Sequence, residues 1–206
     1  MRVRDLGTID FAEAFAIQES LAAGVASGTV PETLLLAEHP PVYTIGRGKS
    51  RANVLDPAVR VVETNRGGDV TFHGPGQLVG YPIIDLGGRG RDVHLYLRFL
   101  EELLIHVSAG AGVAAHRVSG RTGVWTGGGK LASVGVGVRR WVTMHGFALN
   151  VANETTPFRA INPCGIASCP IVSLSAILCR PVFLDDVRNS VAELFPHLLD
   201  AWLPWR

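Results

Sequence analysis

Two amphipathic segments of helical length, residues 10–28 and 92–108, bracket five short apolar runs with no helical segment between them. The runs are TLLLAE (33–38), PVYTIG (41–46), VRVVET (59–64), DVTFH (69–73) and QLVGYPII (77–84), punctuated by Pro, Gly and Asn as strands are. Four more follow the second helix: VAAHRV (113–118), GVWT (123–126), KLASVGVGV (130–138) and MHGFALNV (144–151), the last two joined by RRWVT without an obvious break. Helices that bracket strand runs, instead of alternating strictly with them, fit a Rossmann fold less well than an α/β (α+β) fold with a mixed, mainly antiparallel sheet flanked by helices. A loop rich in proline and cysteine (152–170), a short helix at 173–178 and an amphipathic helix at 185–195 complete the chain.

The helix boundaries are written in the sequence. Asp10 and Glu13 are spaced as a capping box ahead of a stripe of Phe11, Phe15, Leu21 and Val25, and Gly28 is a stop signal. In the second helix Val93, Tyr96, Leu97, Leu100, Leu103, Leu104 and Val107 share a face. The last helix turns Val187, Val191 and Leu194 inward.

With 206 residues, 47% hydrophobic and 18% charged, the chain can bury one substantial core, and a single domain over 1–206 is expected. A formal net charge of +1 gives no basic excess for nucleic acid. No 18-residue apolar run is present to span a membrane, and MRVRDLGTIDF lacks the apolar core of a signal peptide, so the expected compartment is the cytoplasm. Cys164, Cys169 and Cys179 are odd in number and clustered, which makes a poor disulfide framework, and their spacing matches no zinc motif. Free thiols and no metal are expected.

Residues 66–81, RGGDVTFHGPGQLVGY, hold five glycines in sixteen positions. GPGQLVG is one residue too long for the dinucleotide fingerprint and leads into a strand where that motif needs a helix. GRGKS (46–50) ends like a phosphate loop, but Tyr43 stands where its first glycine belongs. Tight turns alone account for much glycine. They leave unexplained the polar set among it: Asp69, Thr71 and His73 share a strand face by the two-residue period, and Arg66 stands just before it. A polar cluster beside bare backbone marks a ligand mouth.

Lysine usage supplies a second pointer. Of 19 basic residues only Lys49 and Lys130 are lysine. A chain that otherwise uses arginine has reason to keep lysine where an amine must lose or pass a proton. Lys130 follows TGGG and opens the strand 130–138; the ordinary alternative is a solvated lysine at a strand end. Cys164, held between proline and glycine in NPCGI, is placed for chemistry, although free cysteines more often serve as small buried hydrophobes. Cys169 and Cys179 read as structural.

RGGDVTFHGPGQLVGYPI resembles the signature of the octanoyltransferases of lipoate biosynthesis, the lipoate-protein ligase B family. The resemblance continues in order through GVWTGGGKLASVGV, MHGFALNV and INPCGI, and covers essentially the whole chain. Departures are small: Met144 replaces an aromatic residue, three glycines precede Lys130 where polar residues are usual, and the tail after Phe195 is short.

The resemblance implies a fold shared with biotin and lipoate protein ligases, and a two-step acyl transfer worked by Cys164 and Lys130. The octanoyl group of octanoyl-acyl carrier protein would pass to Cys164, and from there to a lysine of lipoyl domains of 2-oxoacid dehydrogenase complexes or of glycine-cleavage H protein. It places substrate contacts on Arg66, Gly67, Gly68, Asp69, Val70, Thr71, Phe72 and His73, on Ser133, Val134 and Gly135, and on Gly146, Phe147 and Ala148. No cofactor is implied: thioester exchange is nearly isoenergetic, the final amide is downhill, and the energy comes with the substrate.

Other readings have distinct marks. An ATP-dependent lipoate ligase would carry an arginine pair, a glycine triplet and a His-Asp run, which RGGDVTFHGPG does not spell. A thioesterase would pair Cys164 with His73 or His145 and release free octanoate, and a non-catalytic acyl-binding module would bind without turnover. GRGKSR (46–51) and Arg139 with Arg140 are candidates for meeting an acidic carrier, against the alternative of ordinary solvated charge. Within KLASVGVGV, Leu131, Ser133, Gly135 and Gly137 alternate with Ala132, Val134, Val136 and Val138. The acyl chain is expected along the Gly135 face, with Gly67 and Gly68 closing it from the other side, or else that face admits another stretch of backbone.

Overall fold

The structure is a computed structural model and describes residues 1–48 and 50–205. Lys49, part of the GRGKSR stretch considered for carrier docking, lies outside the described residues. A seven-stranded sheet has the order β1 (Arg2–Thr8), β2 (Thr33–Glu38), β6 (Gln77–Ile83), β10 (Val142–Asn150), β9 (Gly129–Arg139), β8 (Arg121–Thr126), β7 (His116–Val118). Only its β1–β2 pair is parallel; every other pairing is antiparallel. A second sheet of three strands runs β4 (Val61–Glu63), β3 (Val42–Ile45), β5 (Thr71–His73). The mixed, mainly antiparallel architecture expected from the strand order is the one observed.

Period-two alternation decides which helix covers which face. All but the last residue of β2 are buried, because Leu34 and Leu36 point one way and Leu35 and Ala37 the other. The first pair joins Leu78, Phe147 and Leu149 under α2 (Val93–Gly110) and α4 (Leu184–Trp202). The second joins Val79, Tyr81 and Ala148 under α1 (Phe11–Ala26). The small sheet encloses a separate cluster of Ile45, Val70 and Phe72 with Phe158 and Ile161 from the loop 152–170. The gap between the two sheets, on the α1 side, is where the polar residues of the glycine-rich stretch collect.

Helix ends follow local chemistry, with corrections. Asp10 caps α1 by accepting from the Ala12 N–H at 2.7 Å, a single bond and not the reciprocal box anticipated with Glu13. Asp92 accepts from the Leu95 N–H at 2.8 Å to start α2. The buried face of α1 is Phe11, Ala14, Gln18 and Val25, with Phe15 and Leu21 only half-buried. The last helix does not stop at Phe195. It runs through Pro196 to Trp202, since Phe195, Leu199 and Leu203 all pack into the core and outweigh the one backbone bond proline removes. The strand β1 was not anticipated: RVRDLGT is mostly exposed and carries no alternation.

Candidate active site

Lys130 sits at an irregularity in the β8–β9 hairpin, where Trp125 pairs with Lys130 but Val124 pairs with Ala132. The residue is therefore held from both sides by a third segment: its N–H donates to Pro170 O at 2.8 Å, and the Val172 N–H donates to its carbonyl at 3.1 Å. Only glycine fits just before it. Gly129 has φ +144°, and a Cβ there would stand 2.5 Å from Pro170 O. The side chain is not the solvated strand-end lysine of the ordinary alternative, being 1% exposed. It passes over Gly123, where a Cβ would meet its Cε at 3.0 Å, and lies with Nζ 5.6 Å from the centre of the Trp125 ring. Its Nζ donates to Cys164 Sγ at 2.9 Å.

Cys164 occupies a single tight turn, Pro163–Gly165, and has φ +55°, a left-handed conformation that a non-glycine residue adopts only when its surroundings impose it. Those surroundings are visible. The Cys164 N–H donates to Val70 O at 3.0 Å and the Asn162 N–H to Asn53 O at 2.7 Å. Asn53 Nδ2 in turn donates to Asp69 Oδ2 at 2.5 Å. The residues after Arg66 thus form the floor on which the cysteine turn is mounted.

A narrow cavity of about 470 Å³, its mouth included, opens at Cys164 and runs between the sheets. Its apolar wall is Phe11, Val79, Tyr81, Phe147 and Ala148, and its polar groups are Arg66, Thr71, His73, Ser133 and His145. Arg66 is buried and donates to Gly67 O, Thr44 O and Thr44 Oγ1, each at 3.0 Å. Burial pulls its guanidinium below the ordinary arginine value, opposed by nearby Cys164 and Asp69. His73 donates from Nδ1 to Gln77 Oε1 at 2.8 Å, Gln77 Nε2 to Asn150 Oδ1 at 2.8 Å, and Asn150 Nδ2 to Val172 O at 3.1 Å. That chain ends on the segment clamping Lys130.

Burial pushes His73 and His145 down to about 3, so both are neutral near pH 7. An ordinary histidine titrates near 6.5, so at these two positions the unfolded chain binds up to two more protons than the folded one between these values. Stability contributed by these groups is full above pH 6.5 and is lost as pH falls, by about 1.4 kcal/mol per pH unit for each histidine. Urea unfolding at pH 7 and pH 5 should show this loss. His145→Asn, which suits the φ of +56° at this position, should flatten the slope by about one proton; an unchanged slope would contradict the assignment.

Of the residues expected at the site, the structure brings Cys164, Arg66, Gly68, Thr71, His73, Ser133, Val134, Gly135, Gly146, Phe147 and Ala148 around this cavity, and places Lys130 against the sulfur. Gly67 lines an adjoining cavity. Asp69, Val70 and Phe72 line neither: Asp69 anchors Asn53, while Val70 and Phe72 face the small-sheet core. Neither His73 nor His145 hydrogen-bonds to Cys164; His145 bonds Asn65 at 2.6 Å. Both alternatives weighed for Gly135 have a counterpart: a Cβ there would meet Gly67 O at 3.2 Å and Arg66 Cδ at 3.5 Å, so its bareness admits the chain's own backbone, and Gly135 with Gly68 also lines the cavity. GRG (46–48) is likewise explained without phosphate: a Cβ on Gly46 would lie 2.5 Å from Gly68 O, and the Gly48 N–H donates to that oxygen at 3.0 Å. Arg139 and Arg140 stand at the tip of the β9–β10 hairpin and line neither cavity. Asn53, Gln77 and Asn150 were not anticipated as parts of the site: Asn53 reaches Asp69, and Gln77 links nearby His73 to Asn150, 73 residues further along.

Residues 10–196 match the lipoyl protein ligase A/B catalytic domain. An octanoyltransferase of Geobacter metallireducens is 76% identical over 205 residues, spanning 100% of this chain and 96% of the relative. One of Mycobacterium leprae is 51% identical, over 98% of this chain and 88% of the relative. The chain belongs to the octanoyltransferases of the lipoyl protein ligase A/B family. Octanoyltransferases are acyltransferases, so the chain is an enzyme. The fold extends to a lipoate-protein ligase A solved with ATP (TM-score 0.78, 16% identity, 96% of this chain and 85% of that one). It reaches a biotin protein ligase of Aquifex aeolicus (TM-score 0.59, 12% identity, 98% and 70%). At such identities the likeness concerns fold alone.

For this octanoyltransferase the clamp on Lys130 has a direct consequence. Gly129→Ala would drive a methyl group into the Pro170 carbonyl at a backbone angle alanine avoids. We expect a loss of about 1–3 kcal/mol in stability and a disproportionate fall in kcat as Lys130 and Cys164 separate. Gly127→Ala, with nothing within 4 Å of its Cβ position, is the control and should change neither.

Proposed function

We propose that this octanoyltransferase takes the octanoyl group from octanoyl-acyl carrier protein onto Cys164 as a thioester, and passes it to the amine of a lysine on a lipoyl domain or on glycine-cleavage H protein. The observation that carries the reading is the Lys130 Nζ to Cys164 Sγ contact at 2.9 Å, made at the mouth of a largely apolar cavity. Thiolate, not thiol, attacks a thioester, and a neighbouring ammonium stabilises it. Cys164 loses its proton to Lys130 and its sulfur bonds the thioester carbon. The donor C–S bond then breaks, and the leaving thiolate takes the proton back from Lys130.

The second step runs on the neutral lysine this leaves. The acceptor amine attacks the Cys164 thioester, Lys130 takes its proton, and the Cys164 thiolate departs as the amide forms. Both residues are then ready for another donor. The acyl chain lies in the first cavity among Phe11, Val79, Tyr81 and Ala148, and Arg66 with the bare backbone of Gly68 frames its reacting end. The three free cysteines are consistent with a reducing cytoplasm. No helix among the described residues is long and apolar enough to cross a membrane.

Octanoyl carrier protein and a lipoyl domain, incubated with the enzyme and without ATP, should yield an octanoylated lipoyl lysine. A strict ATP requirement with free octanoate as substrate would favour ligase chemistry. Free octanoate as the main product would favour a thioesterase, whose histidine is not found at the sulfur.

A further inference from the structure

A second cavity of about 920 Å³, mouth included, shares Cys164, Gly68, Val134 and Gly135 with the first and is otherwise lined by different residues. Val93 and Leu97 of α2, Val136 and Ile166 form its apolar part, beside Gly67, Thr122 and the exposed Arg121. The sulfur therefore stands at a junction. A thioester carbon at that junction has two substituents to place, the acyl chain and the sulfur-linked arm, and the first cavity accommodates one of them. We infer that the second cavity receives the 4′-phosphopantetheine arm of the acyl donor, with Arg121 holding its phosphodiester.

The lining suits that ligand. A pantetheine arm offers a geminal dimethyl group, two amides and a terminal anion; the cavity offers aliphatic side chains, the Thr122 hydroxyl, glycine backbone and a terminal guanidinium. Arg121 enters no ion pair among the described residues, whereas nearby Arg117 is matched by Glu101 at 3.1 Å and by Glu102. Its guanidinium lies 5.5 Å from the centre of the Trp125 ring, the same ring approached by Lys130. Stacking on an aromatic plane orders a guanidinium while leaving its N–H groups for a phosphate. The sign of the charge selects the donor over the acceptor, because an acceptor lysine arriving as an ammonium gains nothing from a cation at the entrance.

The inference rests on the acyl-transfer reading above, and its test separates the two. Acylation of Cys164 is followed by intact mass for wild type and Arg121→Gln with four donors: octanoyl carrier protein, octanoyl coenzyme A, octanoyl-4′-phosphopantetheine and octanoylpantetheine without the phosphate. We expect Arg121→Gln to raise KM about tenfold for the three phosphate-bearing donors and to leave octanoylpantetheine unchanged, consistent with one exposed charge-assisted contact. Transfer from preformed acyl-enzyme to a lipoyl domain should be unaffected. Equal effects with and without the phosphate would overturn the inference, as would no effect on any donor. An effect confined to carrier protein would assign Arg121 to the carrier's acidic surface, and slowed transfer with normal acylation would assign the cavity to the acceptor; both overturn it. Wild-type enzyme acylated by none of the donors would overturn the acyl-transfer reading itself, and the inference with it.

Discussion

Cys164→Ala should reduce octanoyl transfer by about 10⁴-fold or more, the scale seen when an enzyme loses the atom that forms its covalent intermediate. The side chain is half-buried and its loss opens little space, so the melting temperature should change by no more than a few degrees. Cys169→Ala and Cys179→Ala are internal controls. Cys169 is half-buried, and its thiol is pushed up by burial, away from the thiolate form; Cys179 is exposed at the C-terminus of the short helix α3 (Leu174–Leu178). Neither should lower turnover more than about threefold. Loss of activity in either, with Cys164→Ala still active, would place the nucleophile elsewhere.

Lys130→Arg should separate the two half-reactions. Arginine keeps a positive charge beside the sulfur but does not give up its proton in a protein. Acylation of Cys164 should persist at a reduced rate, the thiol proton leaving to water in place of Lys130, while transfer to the lipoyl lysine, whose amine is far less acidic, falls by about 10²- to 10⁴-fold, the usual contribution of a general base. Lys130→Ala should lose both steps and leave a cavity beside Trp125 and Gly123. The lysine is 1% exposed and passes close over Gly123, so the arginine variant will also be strained. Single-turnover measurement of each half-reaction, alongside the melting temperature, distinguishes strain from chemistry. Transfer at the wild-type rate would leave Lys130 an electrostatic role only.

The parts of this enzyme that sequence made legible share a physical basis. TLLLAE matches β2 residue for residue because a strand buried on both faces leaves an unbroken apolar run, and α2 is evident because one face repeats at helical spacing. Lys130 stood out by rarity and Cys164 by its turn. Elements fixed by distant partners were not legible. β1 is a polar edge strand specified by pairing with β2. Gln18 interrupts the apolar stripe of α1 because its Oε1 accepts from the His145 N–H at 2.8 Å, a bond across 127 residues of sequence. The turn at Arg140–Trp141, with φ of +52° and +64°, lacks the Asn-Gly composition that announces such hairpins. The mounting of Cys164 through Asn53 and Asp69 is likewise invisible in a linear reading, since it joins residues 53, 69 and 162–164 by bonds between separate loops.

Intact mass after mixing the enzyme with octanoyl carrier protein alone tests the central claim, that the acyl group rests covalently on Cys164 between donor and acceptor. One octanoyl unit should appear, map to the peptide containing Cys164, be released by hydroxylamine and disappear when a lipoyl domain is added. An adduct that forms equally on the Cys164→Ala enzyme, or turnover to octanoylated lipoyl domain with no adduct at any time, would contradict it.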